Sequence, residues 1–308
     1  MDYKDPYSSS LTRTDLFLYM GIILFWGTSW IAIRLHLGVV APEVSLFWRF
    51  SAAAAIMFTW TILSGGKLLF PIRDHIWFFA LALMFFSFNF ILQYHGGAYI
   101  KSGLMAVIFS TTSIINLLLG IIILRQSVNY RVLAGGLVGF TGVCLMFWPE
   151  LSLGEFSGDI GETGRNSLKG FLLCFSGTFL FCCGNMISAI IQKKGIPLNS
   201  ATSWGIFYGA LIVGLVSLIQ GHPFIIEMTP QYILSLLWLI VGASVGAFFC
   251  YLSLLRRIGP ARAGYTTVLF PVVALLISTF FEGYTWSLTA FTGMFMAVAG
   301  NFLILQRK

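Results

Sequence analysis

Three features predict an all-α membrane protein with ten transmembrane helices, arranged as two inverted five-helix repeats. Hydrophobic residues make up 58% of the 308, charged residues 9%, and the mean hydropathy is +0.89. Soluble domains carry about a quarter charged residues, so a chain this apolar cannot cover its own surface in water. About ten apolar stretches of membrane-crossing length fill residues 16–305, and one shift of 157 positions superposes them in five pairs without a gap.

The predicted spans are 16–35, 44–63, 76–97, 103–124, 132–148, 169–192, 202–220, 232–254, 262–281 and 287–305. Most reach the ~20 residues that a ~30 Å hydrocarbon layer demands of a helix. Barrel strands would alternate with period two, whereas runs such as LLLGIIIL at 117–124 do not. The spans divide the chain into an N-terminal tail (1–15), a first repeat (16–148), a Gly- and Ser-rich linker (149–167), a second repeat (168–305) and a short C-terminal tail (306–308). The first span lacks a cleavage site and reads as a retained signal anchor. Residues 2–5 (DYKD) match the opening of an epitope tag and stand outside the fold argument.

Basic residues set the expected orientation. With both termini in the cytoplasm, 13 of the 18 Lys and Arg residues fall on that side and 4 outside, with Arg49 left inside a span. The linker, bearing Glu150, Glu155, Asp159 and Glu162, then lies outside. The net charge of +7 is a topology signal spread over short loops, so no nucleic-acid partner is implied. The lipid bilayer is the partner that composition implies. All five cysteines lie in apolar spans without metal or redox spacing and read as packing residues.

Because each half has an odd number of spans, the halves enter the membrane from opposite sides, related by a pseudo-twofold axis in its plane. That arrangement points to a transporter and to a site near mid-membrane, where matched helices are interrupted by small or polar residues. The shift pairs Gly27 with Gly184, so Trp26, Gly27, Ser29 and Trp30 on the first helix, with Gly184 and Asn185 at the matching place on the sixth, are the leading candidates. Glycine also permits close helix packing, and both readings stand. Asn89 and Gln93 lie four apart, and Asn185, Ser188 and Gln192 share a stripe. Buried amides of this kind bind a solute or bond helices together. Tyr94, Tyr99, Tyr251 and Tyr265 are further candidates, with an interfacial role as the plainer alternative. Pro271 must kink the ninth helix and is a candidate gate. Arg49, about 9 Å into the second helix, reads more readily as snorkelling to the outer interface than as an anion contact. His95 reads as a structural hydrogen-bond partner.

Absences narrow the chemistry. The sequence has no GxxxxGK[ST] loop, and all 11 acidic residues fall in loops, tails or at span ends, with Glu43 and Glu282 nearest the membrane. A mid-membrane carboxylate proton relay is therefore not expected. Nor is an intramembrane metal site or acid–base hydrolase, so no cofactor, catalytic residue or metal ligand is assigned.

The chain resembles the drug/metabolite transporter superfamily in its ten-helix branch with two EamA-type repeats. The resemblance covers residues 16–305 and is carried by Trp26-Gly27-Thr28-Ser29-Trp30 with Ala32-Ile33-Arg34, by Ala41-Pro42 leading to Arg49, by Gly135-Gly136 with Gly142-Val143, and by Tyr265 to Pro271 leading to Glu282 and Gly293. One departure is Arg125, at the end of the fourth span, where the family often has Glu. Within the superfamily the chain is most similar to YddG-type exporters of aromatic amino acids. That likeness implies a bacterial inner-membrane protein exporting a small molecule, an amino acid, by alternating access through a central cavity. A drug exporter, a nucleotide-sugar or sugar-phosphate carrier, and a polytopic enzyme or receptor are the alternatives. The sequence does not set the oligomeric state.

Overall fold

The computed structural model describes residues 12–124, 130–152, 162–247, 249–251, 253–254, 257 and 266–305. Among them there is no strand. The helices are α1 (Arg13–Leu35) and α2 (Pro42–Leu63), α3 (Ile72–Gly97), and α4, made of Ser102–Ser110 and Thr112–Leu124 with a turn at Thr111. Then come α5 (Tyr130–Ser152), α6 (Glu162–Lys193) and α7 (Leu198–Ile219), α8 (Pro230–Tyr251), α9 (Thr266–Glu282) and α10 (Leu288–Leu305). Seven of them, α1–α4 and α6–α8, are long and apolar enough to cross a bilayer. Shorter apolar stretches, Leu133–Met146, Leu269–Glu282 and Leu288–Leu303, lie in α5, α9 and α10. Of the segment read as a linker at 149–167, the described ends are helical, since α5 runs on to Ser152 and α6 begins at Glu162.

Local chemistry explains the helix ends. Thr12 caps α1 by accepting from the Asp15 amide at 3.2 Å, while Asp15 accepts in return from the Thr12 amide at 2.9 Å. Pro42 and Pro230 open α2 and α8, where their missing N–H groups cost nothing. Gly195 (φ +77°) and Gly283 (φ +60°) follow α6 and α9 in the left-handed region that stops a helix.

The matched glycines do not interrupt their helices. Both α1 and α6 are continuous through Gly27 and Gly184, and helix runs on both sides of Pro271. Among the described residues the α-helical pattern is broken by the turn at Thr111 in α4 and by two π segments, Ala82–Ser87 in α3 and Trp238–Gly246 in α8. In each a serine hydroxyl donates to the carbonyl five residues back, Ser87 to Ala82 at 2.5 Å and Ser244 to Leu239 at 2.8 Å. Both pairs match at the same shift of 157 residues.

Packing follows the same correspondence. Helix α1 packs on α8 and α9, and α6, its counterpart, packs on α3 and α4; α2 pairs with α7 and α5 with α10. One buried cluster threads these helices, with Phe50, Tyr94, Leu104, Ile108, Ile191 and Leu275 almost fully enclosed. The outer surface instead exposes Phe17, Leu63, Leu137, Phe280 and Phe295. Such a belt is a liability in water and a solvent match for lipid tails.

Candidate functional site

A cavity of about 560 Å³ opens between the two halves, lined by α1–α4 and α6–α9. That volume suits a small organic solute. From α1 come Trp26, Ser29, Trp30 and Ile33, spaced so that one helix face points inward. The π segment of α3 supplies Phe85 and Phe86, and the next turns supply Asn89, Phe90 and Gln93. Across from them α6 presents Phe181, Asn185, Ser188 and Gln192, and α8 presents Ala243, Ser244 and Tyr251.

Aromatic rings dominate the walls and brace one another. Trp30 meets Phe109 at 5.1 Å between centroids, Phe109 meets Phe181 at 4.7 Å, Phe181 meets Phe85 at 4.3 Å, and Trp26 meets Tyr251 at 5.6 Å. Tilted ring pairs at these separations add cohesion beyond area burial. Polar groups are few and tethered: Asn185 donates to Asn116 across α6 and α4 at 3.4 Å, and Gln93 donates to the Cys174 carbonyl and the Thr178 hydroxyl, both at 3.2 Å. Arg49 stands on the wall, 3% exposed, donating to Ser244 and lying over the rings of Phe90 and Phe50. Among the described residues no carboxylate lines the cavity.

The structure sorts the sequence candidates. Trp26, Ser29, Trp30, Asn89, Gln93, Asn185, Ser188 and Tyr251 stand on the cavity wall together. Gly27 and Gly184 do not: a Cβ on Gly27 would meet Val273 of α9 at 2.9 Å, and one on Gly184 would meet Phe85 of α3 at 2.7 Å. Both are contact points between helices. Tyr94 is buried outside the cavity, bonded to His36 at 3.2 Å, and Tyr99 accepts from Lys169 at 2.7 Å. Pro271 is buried beside Phe270, which does line the wall. Tyr265 lies outside the described residues. Arg49 overturns its expectation, because it faces inward instead of snorkelling. His95 bonds Glu43 at 2.7 Å, the structural partner expected of it.

The two ends of the cavity differ. Lys194 sits over Trp77 at the start of α3, whereas Arg34 at the end of α1 donates to Gly97 at the end of α3. The Lys193 turn and Glu282 therefore mark opposite ends. At the Lys193 end the lining includes Leu198 and the exposed Gln192. At the other end Glu282 pairs with Arg34 at 3.5 Å, accepts from the Ser102 amide at 2.9 Å and from its hydroxyl, while Lys101 donates to the Gly283 carbonyl at 2.8 Å. That network ties α1, α4 and α9 together.

A multi-pass bundle around a solute-sized chamber defines a membrane transport protein. The model of the EamA-like transporter family matches residues 14–148 and again residues 168–306, and the chain belongs to that family. It is thus a transporter of small molecules and not an enzyme. Protein PagO of Salmonella typhimurium is 25% identical over 298 residues, covering 94% of this chain and 92% of that one. A probable amino-acid metabolite efflux pump of Salmonella typhimurium is 25% identical, covering 95% of each chain, and its namesake in Escherichia coli K12 is 24% identical over 94% and 96%. A solved crystal structure shares the fold, with a TM-score of 0.64 at 15% identity over 95% of this chain and 96% of that one.

Proposed function

We propose that the chain crosses a bacterial inner membrane ten times, with both termini cytoplasmic, and exports amino acids with aromatic side chains by alternating access. The observation that carries this reading is the cavity wall: braced aromatic rings with a few tethered polar groups, shared by both halves of the chain. The names of two relatives as probable amino-acid metabolite efflux pumps agree with it. The symmetric contacts and matched π segments support two inverted repeats. A sugar-phosphate or nucleotide-sugar cargo would call for several cations, and Arg49 is the one Lys or Arg among the described lining residues. A cationic drug would call for a carboxylate, and none is described there.

Flux of phenylalanine, tryptophan, threonine and a cationic dye through reconstituted liposomes tests the reading. Phenylalanine and tryptophan should equilibrate fastest, and the dye should not move. With no carboxylate among the described lining residues, the protein should run down the solute gradient, with accumulation indifferent to an imposed pH difference. Proton-driven accumulation that disappears in His95→Ala would overturn the facilitator assignment.

A further inference from the structure

Arg49 is a buried cation without an anion. It lies seven residues after Pro42 in α2, is 3% exposed, and takes part in none of the ion pairs among the described residues. Its Nε and Nη2 both donate to one hydroxyl, that of Ser244, at 3.4 Å, the Tyr94 hydroxyl lies near the guanidinium as a neutral acceptor, and Nη1 is buried with no partner at hydrogen-bond geometry. Ser244 can only accept, because its own proton is committed to Leu239 within the π segment of α8. The guanidinium also lies 4.9 Å from the Phe90 ring and 5.3 Å from Phe50. These are weak returns for desolvating a charge, which normally demands a counter-ion or a full set of hydrogen bonds.

Two acceptors on the same cavity wall are unpartnered in a complementary way. The Asn89 amide nitrogen donates to the Phe85 carbonyl at 3.0 Å, and that of Gln93 is held between the Cys174 carbonyl and Thr178. Carbonyl partners need N–H donors, so the orientation of both amides is fixed. Asn89 Oδ1 and Gln93 Oε1 are then left buried with no donor. Helix α3 thus carries on one cavity wall both these acceptors and Phe90, the ring over which Arg49 lies.

We propose that Arg49 anchors the carboxylate of the transported solute and that Asn89 and Gln93 accept from its ammonium group, so that the site reads the zwitterionic end of an amino acid while the rings hold its side chain. This inference rests on the export reading above. A guanidinium fork suits a carboxylate in both geometry and charge, and the π segment sets Ser244 where it holds one edge of that fork. The partners each half supplies are unequal: the residue matching Arg49 at the 157 shift is Ile206. The solute therefore binds in one orientation.

The test uses the purified protein and two sets of probes with matched side chains: phenylalanine, 3-phenylpropionate and phenethylamine, and leucine, 4-methylpentanoate and isoamylamine. Binding is read from the fluorescence of the tryptophans, two of which, Trp26 and Trp30, stand in the wall. In the wild type each acid should bind about tenfold tighter than its amine, and Arg49→Gln should erase that ratio while Arg49→Lys keeps part of it. An unchanged ratio in Arg49→Gln, or no acid bound better than its amine by the wild type, would overturn the inference. Should Arg49→Gln fail to fold, phenylglyoxal modification of the wild type decides: 3-phenylpropionate should shield Arg49 and phenethylamine should not, and equal modification overturns the assignment. Liposome flux separates the two readings. Acid-selective binding without flux of any amino acid sinks the export reading alone, and flux with an intact ratio in Arg49→Gln sinks the anchor alone.

Discussion

Gly27 and Gly184 show what a single residue contributes when its missing side chain is the point. On α1 the cavity stripe is Trp26, Ser29, Trp30 and Ile33, and Gly27 stands about 100° away, turned toward α9. Its space is closed by Val273, and that of Gly184 by Phe85. Gly184→Leu must therefore push α6 off α3, and overpacking of this kind costs about 1–3 kcal/mol. Melting in detergent and liposome flux should fall together in Gly184→Leu and in Gly27→Leu. Flux lost at full melting temperature would return both glycines to the site. Spacing along one helix is legible in a sequence, which is why it carries the stripes Asn89–Gln93 and Asn185–Ser188–Gln192. Which helix a face meets is not legible, and Arg49 is the sharpest instance. Its depth from the helix start suits snorkelling equally well, and only the positions of Phe90 on α3 and Ser244 on α8 show that it points inward.

At the scale of elements, the paired π segments concentrate the cavity wall. Phe85 and Phe86 lie within one, Asn89 follows it by two residues, and Ala243 and Ser244 lie within the other. A π segment departs from the one-residue-per-100° register, so it turns the residues beyond it to a new face. The serine hydroxyls at positions 87 and 244 brace these segments by bonding the carbonyls five residues back. Removing one such bond costs about 0.5–1.5 kcal/mol, too little to unfold the bundle. Ser87→Ala and Ser244→Ala should accordingly keep most of the thermal stability of the wild type while lowering flux per folded molecule, more so in the double variant. Unchanged flux in the double variant would show that the segments are only packing irregularities. The placement of the seven helices long enough to cross a bilayer was legible, because apolar length is a composition-level signal. The π segments were not. Serine at the repeat-matched positions was visible, but a hydroxyl bonding five residues back leaves no mark that distinguishes it from an ordinary helical serine.

For the whole molecule the inequality of the two ends decides which way the chamber faces. The wall runs out to Gln192 and Leu198 at the Lys193 end, while Arg34, Ser102, Lys101 and Glu282 lock α1, α4 and α9 at the other. On the proposed topology this state is open to the cytoplasm, ready to load a solute for export. The proposed alternating access would require the Glu282 lock to open, its strength setting the population of the opposite state. Hydrogen bonds to a charged group contribute about 1.5–3 kcal/mol, but Arg34 is 36% exposed, which discounts the pair toward about 1 kcal/mol. Breaking the lock should shift the equilibrium about fivefold. With the native cysteines replaced and Ser188→Cys introduced on the wall, a membrane-impermeant thiol reagent should reach the cavity chiefly from the Lys193 side. Adding Glu282→Gln should raise labelling from the opposite side about fivefold and lower it from the Lys193 side. Labelling that stays one-sided and unchanged would mean that the network braces the bundle without gating it, and the closed end would have to be sought among the apolar contacts of Ile33, Leu104 and Leu275 instead.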